Sequence, residues 1–318
     1  MFDFQFLGTS AGIPTKTRNV TALAIGQTAS KPWLLVDCGE GTQQQLLRTA
    51  WSANNLSAIC ITHVHGDHCY GLPGAIASAG LNKRSAPLTI IGTQALWEWL
   101  QHTLRLTDMH LAFELRFVDV ASVCQHPHHI DGFDIQAFAL NHRVPSYAYK
   151  ISHGRAETHL NRTQLLQDGL PAGPVWGMLQ QGRDVVANGQ TYAANTYLSH
   201  SHPKVCVLVG GDNDSPELLR DACDGVQVLV HEATYTQAIA DKVGALPMHS
   251  SAKQTASFAA AVAVPNLVLT HFSARYADEA ALQPLYQEAQ QHYHGHLFLA
   301  ADFAHYRLHA DGGFHPLT

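Results

Sequence analysis

The chain has 318 residues, of which 46% are hydrophobic and 14% charged; that is core enough for one large globular domain or two small ones, and it excludes wholesale disorder. The formal net charge of -6, from 19 basic and 25 acidic residues, argues against a surface that grips nucleic acid all over. It leaves room for one basic patch, or for a metal pair that reverses the local sign. No apolar run approaches the ~18 residues of a membrane helix, and residues 1–7 lack the regions of a signal peptide, so no membrane is expected and the cytoplasm is the expected compartment. Cys38, Cys60, Cys69, Cys124, Cys206 and Cys223 form no Cys-x-x-Cys pair, and most read as reduced, buried thiols.

In chain order, short apolar runs at 2–7, 20–25, 33–37, 58–62 and 88–91 predict strands, several apolar enough to be buried on both faces. Helices are predicted at 71–79 and 94–104, and strands again at 133–140 and 148–152. From 153 to 197 the chain turns polar and rich in Gly and Pro, with a marginal helix at 162–167. A structureless stretch of that length is usually functional or disordered, and it reads as a protruding insertion in a single domain spanning 1–318. Around it Lys150, Arg155, Arg162 and Arg183 stand against Glu157, Asp168 and Asp184, so the insertion is nearly neutral. Strands resume at 205–209, 226–230, 267–270 and 296–300, with helices at 252–262 and 279–293. Sheets with helices interspersed in both halves predict a layered α/β or α+β fold, two sheets face to face and covered by helices.

The 22 histidines outnumber lysine and arginine together, so the useful question is which of them are placed by geometry. Several His-x-His pairs occur, at His126/His128, His200/His202 and His292/His294/His296. Only Thr62-His63-Val64-His65-Gly66-Asp67-His68 follows a predicted buried strand and runs on into Asp-His. His63 and His65, two apart in extended chain, project toward one side; Asp67 and His68, opening the next helix, supply a second cluster. Three imidazoles and a carboxylate at one strand end suit two adjacent metal ions with N and O ligands. Further ligands must come from other strand ends, and His142, Asp212 and His271 each lie just beyond one.

The cluster His63-Val64-His65-Gly66-Asp67-His68, with Asp212 and His271 downstream, resembles the metallo-β-lactamase superfamily of binuclear hydrolases. The ordered motifs resemble more closely its ribonuclease Z family, the tRNA 3′-processing endoribonucleases. They include Phe6-Leu7-Gly8-Thr9-Ser10-Ala11-Gly12, Pro14-Thr15-Lys16-Thr17-Arg18-Asn19, Asp37-Cys38-Gly39-Glu40-Gly41-Thr42-Gln43, His231-Glu232-Ala233-Thr234, Met248-His249-Ser250-Ser251 and Leu269-Thr270-His271-Phe272-Ser273-Ala274-Arg275-Tyr276. The resemblance implies an α+β fold, a lactamase-type αββα sandwich, with 153–197 as an arm that grips the tRNA elbow. Gly173 and Pro174 match the Gly-Pro motif of that arm.

Carried over, the resemblance implies that His63, His65 and His142 hold one zinc, that Asp67, His68 and His271 hold the other, and that Asp212 bridges them. Mn or Co would suit the same donors. Asp67 would also orient or deprotonate the attacking water, and His249, held by Glu232, would protonate the departing ribose oxygen. Pro14, Lys16 and Arg18 match the family's Pro-x-Lys-x-Arg substrate loop. The implied reaction is cleavage of precursor tRNA after the discriminator nucleotide, leaving a 3′ hydroxyl, with 3′-exonuclease activity open at the same metals. The implied assembly is a homodimer. A phosphodiesterase or arylsulfatase of the same superfamily acting on small molecules would share the metal motif, but it has no need of residues 14–18 or of the arm. A silent metal- or RNA-binding protein would show a broken ligand set, and no ligand is missing.

Overall fold

The computed structural model describes residues 1–153, 158–200 and 205–317; the charges expected at Arg155 and Glu157 lie outside the described residues. The chain divides into two compact units, Met1–His153 with Val205–Thr318, and Gly154–Lys204.

In the first unit the apolar runs pair into two large sheets. One has eight strands, in the order Phe314–Leu317, His305–Leu308, Phe2–Gly8, Ala22–Gln27, Trp33–Val36, Leu56–Cys60, Leu88–Gly92 and Leu115–Asp119. The other has seven, in the order His296–Leu299, Asn266–Thr270, Val228–Glu232, Val205–Val209, Ser146–His153, Phe133–Leu140 and His128–Ile130. Strand alternation sends successive side chains to opposite faces. Phe4, Ile25, Leu34 and Val36 of the first sheet meet Ile135, Tyr149, Ile151, Val207 and Val230 of the second in one buried layer. From its outer face the first sheet sets Leu35, Ile59 and Ile90 against Leu72, Ile76, Leu96 and Leu100 of the helices Leu72–Leu81 and Gln94–Leu106. The second sheet sets Leu208, Leu229 and Leu267 against Ala256, Ala259, Leu282 and Leu285 of Ala252–Ala261 and Glu279–His292. The result is the expected αββα sandwich, and each side chain buried in its layers contributes about 1.5–3 kcal/mol by leaving water.

The strands Leu56–Cys60, Leu88–Gly92 and Val205–Val209 are buried at every residue, which is why they read as continuous apolar runs. The half-exposed strands Leu115–Asp119, His305–Leu308 and Phe314–Leu317, and the helices Val120–Gln125 and Gln237–Val243, are additions to the expected set.

The second unit is folded, where a long loop with one helix was expected. Thr158–Leu160 pairs with Leu198–His200, and Val185–Ala187 with Gln190–Tyr192. Helices Arg162–Gln167, Pro174–Gln180 and Ala194–Tyr197 pack around a small core of Leu165, Leu170, Leu179, Val185, Tyr192, Ala194 and Tyr197. The Gly/Pro content that suggested a loop is spent on helix boundaries. Asn161 caps the first helix through its side chain, and Pro174 opens the second, a position where its missing N–H costs nothing.

Candidate metal centre

Four strands of the first unit end at one edge of the sandwich, and the chain leaving each carries a His or Asp. Leu56–Cys60 leads to His63, His65, Asp67 and His68; Phe133–Leu140 to His142; Val205–Val209 to Asp212; and Asn266–Thr270 to His271. Asp67 and His68 open the next helix as expected, a one-turn helix, Gly66–Cys69, separate from the longer Leu72–Leu81. Gly71 divides the two, because its backbone presses so closely on Gly39 that a Cβ would lie 2.1 Å from the Gly39 carbonyl oxygen. Gly211 is needed for a similar reason: a Cβ there would meet Thr62 Cβ at 2.7 Å and Ser146 Oγ at 2.8 Å. Its absence lets the strand exit approach Thr62 and deliver Asp212.

The seven side chains form two sets that share one residue. In the first, His63 Nε2 lies 3.1 Å from His65 Nδ1 and 3.5 Å from Asp212 Oδ2, while His142 Nε2 lies 3.2 Å and 3.7 Å from the same two atoms. In the second, His68 Nε2 and His271 Nε2 lie 3.3 Å apart, and each lies 3.3–3.4 Å from Asp67 Oδ2 and from Asp212 Oδ1. A tetrahedral shell with Zn–N bonds near 2.0–2.1 Å has ligand edges of about 3.3 Å. Both sets therefore have the spacing of a four-ligand metal shell, and Asp212 presents a different oxygen to each. Among the described residues, His63, His65, His142 and Asp212 form one cluster able to hold an ion, Asp67, His68 and His271 a second, and Asp212, His249 and His271 a third. The donors fit a divalent metal.

The charges fit it as well. Burial holds His63, His65 and His142 below the ordinary imidazole pKa, so they are neutral and ready to donate a lone pair. Burial acts the same way on His68, but Asp212, Asp67 and Asp37 outweigh it and hold that imidazole protonated. Burial opposes charge on Asp67 and Asp212 too, and the surrounding imidazoles overcome it, leaving both ionised.

A second layer orients the ligands. Asp37 Oδ2 lies 2.7 Å from His68 Nδ1 and accepts the Thr62 hydroxyl, while Oδ1 accepts the Thr62 amide. The Met248 carbonyl lies 3.0 Å from His142 Nδ1, and Thr234 Oγ1 lies 3.1 Å from His271 Nδ1. Asp37, Met248 and His271 all have φ between 56° and 59°, a left-handed conformation that side chains adopt at a cost and that clusters at functional sites. The role of Asp37 is not legible in its own segment, because the contact that defines it lies 31 residues away in sequence.

His249 and Glu232 are brought together beside both sets, with His249 Nδ1 3.0 Å from Glu232 Oε2 and 3.8 Å from Asp212 Oδ2. Burial disfavours the imidazolium, but Glu232 outweighs it and pushes the pKa up to about 9. A cleft of about 290 Å³ opens next to His249, lined by Asp214, Gln237, Asp241, Met248 and Gln254.

The residues of the expected substrate loop part company. Pro14 and Lys16 are exposed, whereas Arg18 is buried at 7% exposure. Its guanidinium donates to Thr9 Oγ1 and the Ala300 carbonyl and lies over the Phe272 ring. Arg18 is thus turned inward, unlike Pro14 and Lys16 of the same segment. Gly173 and Pro174 lie in the other unit, at the start of Pro174–Gln180.

Comparison with known proteins gives several likenesses. A family profile described as Anti-Pycsar protein Apyc1 matches residues 2–161. The chain is 47% identical over 320 residues to the Ribonuclease Z of Marinobacter nauticus, covering 99% of each chain. It is 46% identical to the Ribonuclease Z of Pseudomonas putida, again covering 99% of each. Among solved structures, human tRNase Z, short form, superposes with a TM-score of 0.64 at 25% identity, covering 95% of this chain and 98% of that one. The metallo-β-lactamase fold protein YhfI from Bacillus subtilis, at 16% identity and a TM-score of 0.66 over 96% of this chain and 98% of that one, shares the fold alone. The profile ends before Asp212, Glu232, His249 and His271, whereas the full-length relatives run across all of them.

Proposed function

This chain belongs to the ribonuclease Z family, metallo-β-lactamase fold hydrolases of RNA phosphodiester bonds, and from that premise we propose how its His/Asp centre carries out tRNA 3′ processing. The enzyme is a tRNA 3′-processing endoribonuclease. Its substrate is precursor tRNA, cut after the discriminator nucleotide to leave a tRNA 3′ hydroxyl, and trimming of 3′ ends at the same centre is part of the proposal. The observation that carries the reading is the division of the Asp212 carboxylate between two complete ligand sets.

His63, His65 and His142 would hold one zinc ion and Asp67, His68 and His271 a second, with Asp212 bridging; Mn or Co would satisfy the same donors. Two such ions would supply Lewis acidity, which would acidify a water and neutralise charge on the phosphoryl oxygens. Asp67 orients that water and takes its proton. Glu232 holds Nδ1 of His249, which leaves Nε2 to deliver a proton to the departing ribose O3′ of the discriminator nucleotide. An imidazole kept protonated by a neighbouring carboxylate is suited to that task near neutral pH.

Pro14 and Lys16 stand in the exposed substrate loop. The unit 154–204, with Gly173 and Pro174, serves as the tRNA-gripping arm; being nearly neutral, it binds by shape and backbone amides more than by charge. A homodimer is the proposed assembly. The cytoplasm is the proposed compartment, supported by six unpaired cysteines, five of them buried.

The test is cleavage of a 3′-extended precursor tRNA, mapped at single-nucleotide resolution, by the metal-loaded wild type and by Asp67→Ala. A single cut after the discriminator base that vanishes in the variant supports the reading. Absence of any cut by wild type, alongside turnover of a small phosphodiester, would sink it.

A further inference from the structure

The segment from Thr9 to Asn19 leaves the first sheet and returns to it, and its two ends are tied by Thr9 and Ser10 amides donating to the Asn19 carbonyl. Near its tip Gly12 donates its amide to Asp67 Oδ2 at 2.7 Å. Gly12 has φ +71° with open space around its Cβ position, so glycine is required there by backbone conformation and not by crowding. At the other end Arg18 donates at 2.9 Å to Thr9 Oγ1, which in turn donates to Asp302 Oδ1 at 2.8 Å. The second Asp302 oxygen accepts the Asn19 amide at 2.6 Å and Gln45 Nε2 at 3.0 Å. The Arg18 guanidinium covers Phe272, whose amide donates to the Thr9 carbonyl at 2.9 Å and which directly follows His271.

One loop thus touches both Asp67 and the chain that carries His271, and Arg18 anchors it from the buried side. Both hydrogen bonds of Arg18, to Thr9 Oγ1 and the Ala300 carbonyl, come from Nη1, and Nε is buried without a partner among the described residues; burial and the Phe272 ring, and not a filled donor set, keep this guanidinium from an incoming phosphate. Its neighbour two residues back, Lys16, is exposed.

We propose that Arg18 is a positioning residue: it fixes the 9–19 loop so that the Gly12 amide and the Phe272 contact hold Asp67 and His271 in register, while Lys16 alone of the two cations meets the substrate. The inference rests on the roles given above to Asp67 and His271. It gives the loop two jobs, since RNA pressing on the exposed tip acts on the segment that aims Asp67.

The experiment compares wild type, Lys16→Ala, Arg18→Met and Thr9→Val on a 3′-extended precursor tRNA. It measures RNA binding against KCl concentration, the single-turnover rate at saturating RNA, and zinc retention against a chelator. Wild-type cleavage is the control on the functional reading itself. Lys16→Ala is expected to raise KM and reduce the log–log salt slope by roughly one, the signature of one lost phosphate contact. Arg18→Met is expected to keep the wild-type salt slope, lose about tenfold or more in saturating rate, as misplaced catalytic groups do, and release zinc at lower chelator concentration. Thr9→Val breaks the same junction with a smaller change of volume and is expected to follow Arg18→Met; it decides the matter if Arg18→Met does not fold. A salt slope reduced by one with an unchanged saturating rate in Arg18→Met would make Arg18 a phosphate contact and overturn the proposal. So would lower thermal stability with wild-type rate and zinc retention, which would reduce Arg18 to a pin of the fold.

Discussion

The carboxylate of Glu232 lies 3.0 Å from Nδ1 of His249, and its other oxygen accepts the Asn213 amide at 2.6 Å, one residue from Asp212. The proposed proton donor is therefore tied to the backbone that carries Asp212, the carboxylate proposed to bridge the metals. Replacing His249 with Ala should lower single-turnover cleavage by about 10²–10⁴-fold while leaving metal content unchanged, as measured by elemental analysis of the purified variant.

A pH dependence follows from the same pair. The pKa of His249 is raised, so its acid form is present below about 9 and lost as pH rises through that value; cations bound nearby offset part of the rise. Glu232→Gln removes the charge that favours the imidazolium. The alkaline limb of the rate profile should move to lower pH in Glu232→Gln. An unmoved limb in a folded, metal-loaded variant would separate Glu232 from the proton donor.

Metal loss should sort by ligand set. His142→Ala disturbs the set that shares Asp212 Oδ2, Asp67→Ala the set that shares Oδ1, and Asp212→Ala both. Each of the first two variants should retain about one zinc of the pair and Asp212→Ala close to none, a pattern that follows from the four-ligand shells. Equal losses in all three would argue against separate sets.

Zinc uptake should release protons. His68 is protonated without metal, because Asp212, Asp67 and Asp37 outweigh its burial, and it must give up that proton to become a ligand. Titration calorimetry in buffers of different ionisation heat should show a buffer-dependent enthalpy, and affinity should fall as pH is lowered. Asp37→Asn weakens the hold on His68 Nδ1, and second-layer losses of this kind cost about 10–100-fold in metal affinity.

Sequence patterning and local spacing carried much of this. The His63 to His68 cluster was legible because four ligands lie within six residues and follow a strand buried at every position. The fold was legible for the same reason in its inner strands, where burial on both faces leaves an unbroken apolar run. Outer strands such as His305–Leu308 were not, since their side chains alternate between buried and half-buried. Arg18 shows the opposite limit. Its charge suggests a phosphate contact, but the Ala300 carbonyl that it meets is 282 residues away, and no local pattern announces a partner that distant. The unit 154–204 was hidden by its composition, because a core of seven buried side chains is too small to impose a clear period.

The ligand cluster also sets an order of events in biogenesis. His63, His65, Asp67 and His68 hang from the first sheet, while His142, Asp212 and His271 hang from the second. With the ligand sets as proposed, the set of His63, His65 and His142 is complete once Asp212 has been made, and the other only once His271 has. A chain cut short before residue 212 would therefore lack both complete sets, and one cut short before residue 271 would lack one of them.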